Sequence, residues 1–260
     1  MLILPKMRRL IILSALLIVI IAGASLWFRE SVQLVWSHHF SPVEKPAPKP
    51  DPETYATMIG DLERWRLELA TRLAVARTPK EIIAVENDAR IILEKALPEM
   101  MRCWLGTPWD FHGTAERPGD GRIACGYFVS TVLKDAGFRV NRYRLAQQPS
   151  ENILRSFLPR ESCKLNVGKP YDAFADELLT REPGIYIVGL DNHVAFLVVR
   201  PDGFRFIHSS GSRPWCVVDE NRSEAKVLES SNWRMIGNLT ADPAVIRRWL
   251  NAEKIPVHGA

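Results

Sequence analysis

The sequence predicts an α+β protein: a helical hairpin, then a helix packed on an antiparallel sheet, all behind an N-terminal transmembrane helix. Three observations carry this. Apolar residues recur at helical spacing from Glu53 to about Met101. The run Tyr127 to Ala136 is strongly helical and ends at Gly137, a residue that commonly closes helices. Short runs of Val, Ile, Phe and Tyr, separated by turn residues, fill 184–239. The sequence shows no internal repeat.

At the N-terminus, Lys6, Arg8 and Arg9 precede Leu10 to Phe28, a stretch without a charged residue. It is long enough to cross a bilayer as a helix, and the preceding positive charge keeps the N-terminus in the cytoplasm. Ala22-Gly23-Ala24 offers a signal-peptidase site, but the apolar run continues past it, which favours an uncleaved anchor over residues 1–30. Either way the rest of the chain is expected outside the cytoplasm, periplasmic or extracellular. Residues 31–52 form a linker whose proline-rich part, Ser41 to Pro52, reads as an extended spacer. The formal charge is +4, and residues 1–30 hold four basic groups and one acid. The remainder is nearly neutral, with no basic run dense enough to suggest nucleic acid as a partner.

Residues 53–102 read as the hairpin. Met58, Leu62, Trp65, Leu69 and Leu73 line one helix; Thr78-Pro79-Lys80-Glu81 is a capping box opening the second, with Ile82, Val85, Ala89, Ile92 and Ala96 as its apolar face. Residues 103–260 read as a further α+β region. Gly184 to Gly189, His193 to Val199 and Phe204 to Ser210 are expected strands, joined by turns at 190–192 and 201–203. Pro214 to Val218, Ala225 to Leu228 and Trp233 to Leu239 read as further strands, Asp242-Pro243 starts a helix through Leu250, and the tail from Pro256 is expected to fray.

Cys125 sits where a glycine-bearing loop enters the Tyr127–Ala136 helix. Unpaired N–H groups and partial positive charge at a helix start favour a thiolate, the nucleophilic form of cysteine. His193 begins one strand and His208 lies near the end of its antiparallel partner, so the two fall close together across the ladder. They supply a base and a polar orienter for one thiol. Read without the cysteine, they are two half-buried histidines in a sheet. Cys103, Cys163 and Cys216 can form at most one disulfide, with Cys163–Cys216 conceivable, or remain buried thiols.

From about Leu105 to Leu239 the chain resembles the NlpC/P60-type cysteine peptidases. Gly106-Thr107-Pro108-Trp109-Asp110-Phe111-His112-Gly113 is similar to the family loop G-x-P-Y-x-W-G-G, and Ala124-Cys125-Gly126-Tyr127-Phe128-Val129 to D-C-S-G-F-V. The run Lys134 to Arg142, with Gln147 or Gln148 beyond, resembles the segment leaving the nucleophile helix. Asn192-His193-Val194-Ala195-Phe196-Leu197 resembles G-H-V-G-I-Y, and Phe206-Ile207-His208-Ser209-Ser210 resembles the following I-H-A-S. The order is the family's. The resemblance implies a papain-like core and hydrolysis of bacterial cell-wall peptides through a thioester. Cys125 would be the nucleophile, His193 the base and His208 its orienter. Backbone N–H at the helix start, including Gly126, and the indole of Trp109 would hold the oxyanion; the neighbouring Asp110 reads either as a substrate contact or as a solvated loop acid.

The departures flank this set: Ala124 replaces the family's Asp, Gly126 its Ser and Trp109 its Tyr, and Thr114 to Gly121 is a polar insertion. They leave open a related amidase or acyltransferase on a non-peptidoglycan substrate, and a non-catalytic wall-binding scaffold. No metal or other cofactor is expected, since the chain has neither H-E-x-x-H nor C-x-x-C.

Overall fold

The structure, a computed structural model, describes residues 48–260, which form one compact unit. The expected anchor and the linker up to residue 47 lie outside the described residues; no helix among those described is long and apolar enough to cross a membrane. The fold is mixed α+β. Helices α1 (Pro52–Val75) and α2 (Pro79–Arg102) are followed by α3 (Cys125–Asp135), β1 (Arg139–Val140), α4 (Arg142–Ala146), α5 (Ser150–Phe157) and β2 (Cys163–Val167). Then come α6 (Tyr171–Leu179), β3 (Gly184–Leu190), β4 (Val194–Arg200), β5 (Gly203–Ser209), β6 (Val217–Glu220), α7 (Lys226–Ser230), β7 (Trp233–Asn238), α8 (Pro243–Leu250) and β8 (Lys254–Ile255).

Local chemistry sets the helix starts. The Asp51 carboxylate accepts from Thr54 N–H and caps α1, while Thr78 and Glu81 form the reciprocal capping box of α2; each helix has proline in its first turn, where no N–H is needed. At the far end of α3, Gly137 takes a positive φ of 98° and the Trp249 indole donates to the Ala136 carbonyl at 2.7 Å.

Six strands form one antiparallel sheet in the order β2-β7-β3-β4-β5-β6. Every residue of β3 is buried, because both faces of the sheet are covered. On one face Ile187, Phe196, Val198 and Ile207 join the core built by α1, α2 and α3; on the other Val188, Leu197 and Phe206 pack on Phe174 and Leu178 of α6 and Leu228 of α7. Four aromatic rings tie the hairpin to the sheet. Tyr55 of α1 meets Trp104 edge-on at 5.5 Å, Trp104 meets Phe128 of α3 at 6.1 Å, and Phe128 meets Phe196 of β4 at 6.0 Å.

The structure corrects several expectations. Residues 225–228 are not a strand: Lys226–Ser230 is helix α7, and the short apolar run packs as a helical turn beneath the sheet. The strand expected at 214–218 begins only at Val217. The tail is held, with Ile255 buried in a parallel pair with Val140, and His258 N–H donating to Ser156 Oγ at 3.0 Å. All four cysteines are free. Cys163 and Cys216 cannot be bridged: Cys163 lies on β2 at one edge of the sheet, and Cys216 adjoins β6 at the other. Five interstrand steps of about 4.8 Å separate those edges, far beyond disulfide reach.

Candidate active site

The loop from Gly106 to Ala124 delivers Cys125 to the start of α3. It is pinned along its length: Ile123 N–H donates to Pro108 O, Ala124 N–H to Gly113 O and Ala115 N–H to Arg122 O, all at 2.9 Å. Ser209 Oγ, at the end of β5, donates to Ile123 O at 2.7 Å. Ala124 occupies the N-cap position and offers no side-chain acceptor, and no acidic residue stands in the first turn of α3. The N–H groups at this helix start therefore remain uncapped by side chains.

Cys125, Gly126 and His193 line one cavity of about 600 Å³, together with Gln148, Asp191 and Trp233. The sulphur lies beside the backbone N–H groups of Val194 and Gly126, which favour the thiolate, but burial outweighs them and pushes the Cys125 thiol up. The helix start alone thus does not ionise the resting thiol, contrary to the sequence expectation. Among the described residues no hydrogen bond joins Cys125 to His193.

His193 is placed by a tight turn in which Leu190 N–H donates to His193 O at 2.8 Å. The turn is clamped by Asp191, whose Oδ2 accepts from Ser231 Oγ at 2.6 Å and Asn232 N–H at 2.8 Å. His193 Nε2 lies 2.8 Å from His208 Nδ1. The remaining nitrogen of His193, Nδ1, makes no hydrogen bond among the described residues, and His193 lines the cavity. Both imidazoles pack on Phe206, at centroid distances of 6.5 Å and 4.2 Å. Burial, and for His193 also the neighbouring His208, brings each imidazole down to about 3. The resting pair is a neutral thiol and a neutral imidazole.

A further residue completes the line. Glu220 Oε2 lies 3.2 Å from His208 Nε2. Since burial keeps His208 neutral, this contact is a hydrogen bond rather than an ion pair. Burial, reinforced by Glu224, pushes the Glu220 carboxyl up to about 7. Sequence reading missed Glu220. Its signal is one of register: His208 pairs with Val218 and Phe206 with Glu220, so Glu220 stands diagonally across from His208 on the same face.

Of the other expected site residues, Gly126 is in the cavity, and a packing constraint accounts for its lack of a side chain. A Cβ there would stand 2.4 Å from the Ala146 carbonyl oxygen of α4. Trp109 and Asp110 do not line the cavity. The Trp109 ring packs against Trp215 at 5.5 Å and over Gly211. Asp110 accepts from His112 N–H at 2.8 Å and faces Arg122 at 3.8 Å. Both residues organise the loop instead.

A larger cavity of about 1080 Å³ is lined by residues of α6, β5 and the turn before α7, and holds none of the Cys125 set. Four of its five cations are ion-paired: Arg102 and Arg205 bind Asp219, Arg222 binds Asp172 and Asp176, and Lys226 binds Glu229. No cluster of three or more potential metal ligands occurs among the described residues. No protein-family model matches the chain, and neither a curated protein nor a solved structure matches it.

Proposed function

We propose that this protein is a membrane-anchored, exported cysteine hydrolase of the NlpC/P60 type, with a papain-like core, that cleaves amide bonds in cell-wall peptides. The observation that carries the reading is the His193 Nε2–His208 Nδ1 contact of 2.8 Å, beside a cysteine at a helix start in the same cavity. It leaves His193 Nδ1 as the one imidazole nitrogen of the pair directed to other work.

In this reading the Cys125 proton passes to His193 Nδ1 as the sulphur attacks the substrate carbonyl carbon. The neutral resting pair makes this transfer concurrent with attack. The oxyanion is held by the N–H groups of Cys125 and Gly126, each worth on the order of 3 kcal/mol at a site of this kind. The same proton then goes to the leaving amine, the C–N bond breaks, and a thioester remains on Cys125. Water, deprotonated by His193, hydrolyses the thioester and regenerates the thiol. Catalytic contacts in ligand-free sites commonly tighten when substrate arrives, as this one must.

The test incubates the full chain in detergent with purified cell-wall sacculi and identifies released fragments by mass spectrometry. Wild type is expected to release peptide fragments and Cys125→Ala none. Rapid alkylation of Cys125 without any release would overturn the wall-peptide assignment and indicate another acyl substrate. Absence of both would favour a wall-binding scaffold.

A further inference from the structure

We infer that Glu220 is the far end of a proton array. Through His208 it sets which nitrogen of His193 carries the proton, and it takes up the charge when the thiol proton enters. The inference rests on the reading of His193 as the base for Cys125.

Each of the two contacts needs one donor and one acceptor, so two self-consistent arrangements follow from whether Glu220 Oε2, the atom facing His208, carries a proton. With Glu220 ionised, His208 Nε2–H donates to the carboxylate. His208 Nδ1 is then an acceptor, so His193 Nε2–H donates to it. The lone pair of His193 is left on Nδ1, the ring nitrogen not engaged by His208. With Glu220 protonated, its O–H donates to His208 Nε2, His208 Nδ1–H donates to His193 Nε2, and His193 carries its proton on Nδ1. That tautomer cannot accept a proton from Cys125.

The two arrangements differ by one proton, and the conversion balances. A proton arriving at His193 Nδ1 is matched by movement of the His193 Nε2 proton to His208 Nδ1 and of the His208 Nε2 proton to Glu220. Both imidazoles end neutral and the carboxylate ends as a carboxylic acid. Burial makes this the favoured destination, since the imidazoles hold a proton only to about 3 and Glu220 to about 7. Other charges around Glu220 do not take over the role. Arg205 of β5 is bound to Asp219, as is Arg102 of α2. Asp219 on its own strand and Glu224 in the following turn, which caps Asn221 N–H, raise the carboxyl further.

The experiment uses the full chain in detergent, labelled with 15N-histidine, with His193 and His208 assigned from His193→Gln and His208→Gln. The wild-type His193 proton is expected on Nε2 above a midpoint near 7 and on Nδ1 below it. Iodoacetamide alkylation of Cys125 should fall below the same midpoint. In Glu220→Gln both transitions should vanish, and alkylation at pH 8 should drop at least about tenfold, within the range lost with a general base. Glu220→Asp should retain a titrating midpoint. A Gln variant with an unchanged tautomer, midpoint and alkylation rate would overturn the array and leave the hydrolase reading standing. A wild-type thiol no more reactive than a free one, with intact sacculi, would instead overturn the hydrolase reading. The tautomer titration of the wild type needs neither substrate nor a Glu220 variant, and an unchanging His193 tautomer across pH 5–9 rejects the array by itself.

Discussion

Ser209 Oγ donates to the Ile123 carbonyl across 2.7 Å, tying the residue after His208 to the residue two before Cys125. Both groups are buried. Ser209→Ala leaves the carbonyl without its partner, which costs about 1–3 kcal/mol. It also slackens a side-chain strap between the His208 strand and the nucleophile loop. Turnover should fall on the order of tenfold, with KM nearly unchanged, because misplacing reacting groups is felt in the chemical step. Urea unfolding and a kcat–KM separation check the two halves, and a variant with wild-type turnover would remove the strap from the account.

Placing at position 126 the serine of the motif that this sequence resembles should harm this chain. The Ala146 carbonyl stands 2.4 Å from where the Cβ of Gly126→Ser would lie, and it is backbone, not a movable side-chain tip. A loss of about 1–3 kcal/mol in stability is expected. Gly126→Ala should lose as much, since the clash is with the first carbon and not the hydroxyl. Thermal melts of the two variants decide the matter; a stable Gly126→Ser would show that α4 yields.

Acid should destabilise the fold through His193 and His208. Each binds a proton near 6.5 in the unfolded chain but only near 3 in the folded one. As pH falls, the unfolded state takes up protons first, so the contribution is complete above 6.5 and is lost progressively toward 3. Glu220 acts with the opposite sign. Its folded value near 7 exceeds the ordinary 4.5, so the folded state binds the proton first, and stability declines as pH rises between those values. Urea midpoints against pH should therefore show an acid limb that flattens in His193→Gln/His208→Gln. An unaltered limb in that double variant would contradict the burial of neutral imidazoles.

The parts of this architecture legible in the sequence are those specified locally. The capping box at Thr78 and Glu81, the glycine ending α3 and the Pro201-Asp202-Gly203 turn each act within a few residues, and each stands where expected. That hairpin turn also placed His193 and His208 together, since the register of two strands follows from a short connection. Where strands meet over distance, legibility ended. Strand β2 is largely exposed along an edge and pairs with β7, some 70 residues on, without an alternation to announce it. The apolar stretch at Ala225 to Leu228 is too short for its period to separate strand from helix. Glu220 was invisible for a related reason. The irregular segment between β5 and β6 sets a register that no local turn signal specifies, and the role of Glu220 depends wholly on that register.

The aromatic line from Tyr55 through Trp104 and Phe128 to Phe196 has a consequence for how this region could be moved or trimmed. Residues 103–260 carry every group of the Cys125 set, yet a cut before Cys103 would strip one wall from the helix that presents the thiol. The smallest portable piece of this chain therefore includes α1 from its cap at Asp51, and a transplant of the site into another scaffold would have to bring α1 and α2 along as its foundation.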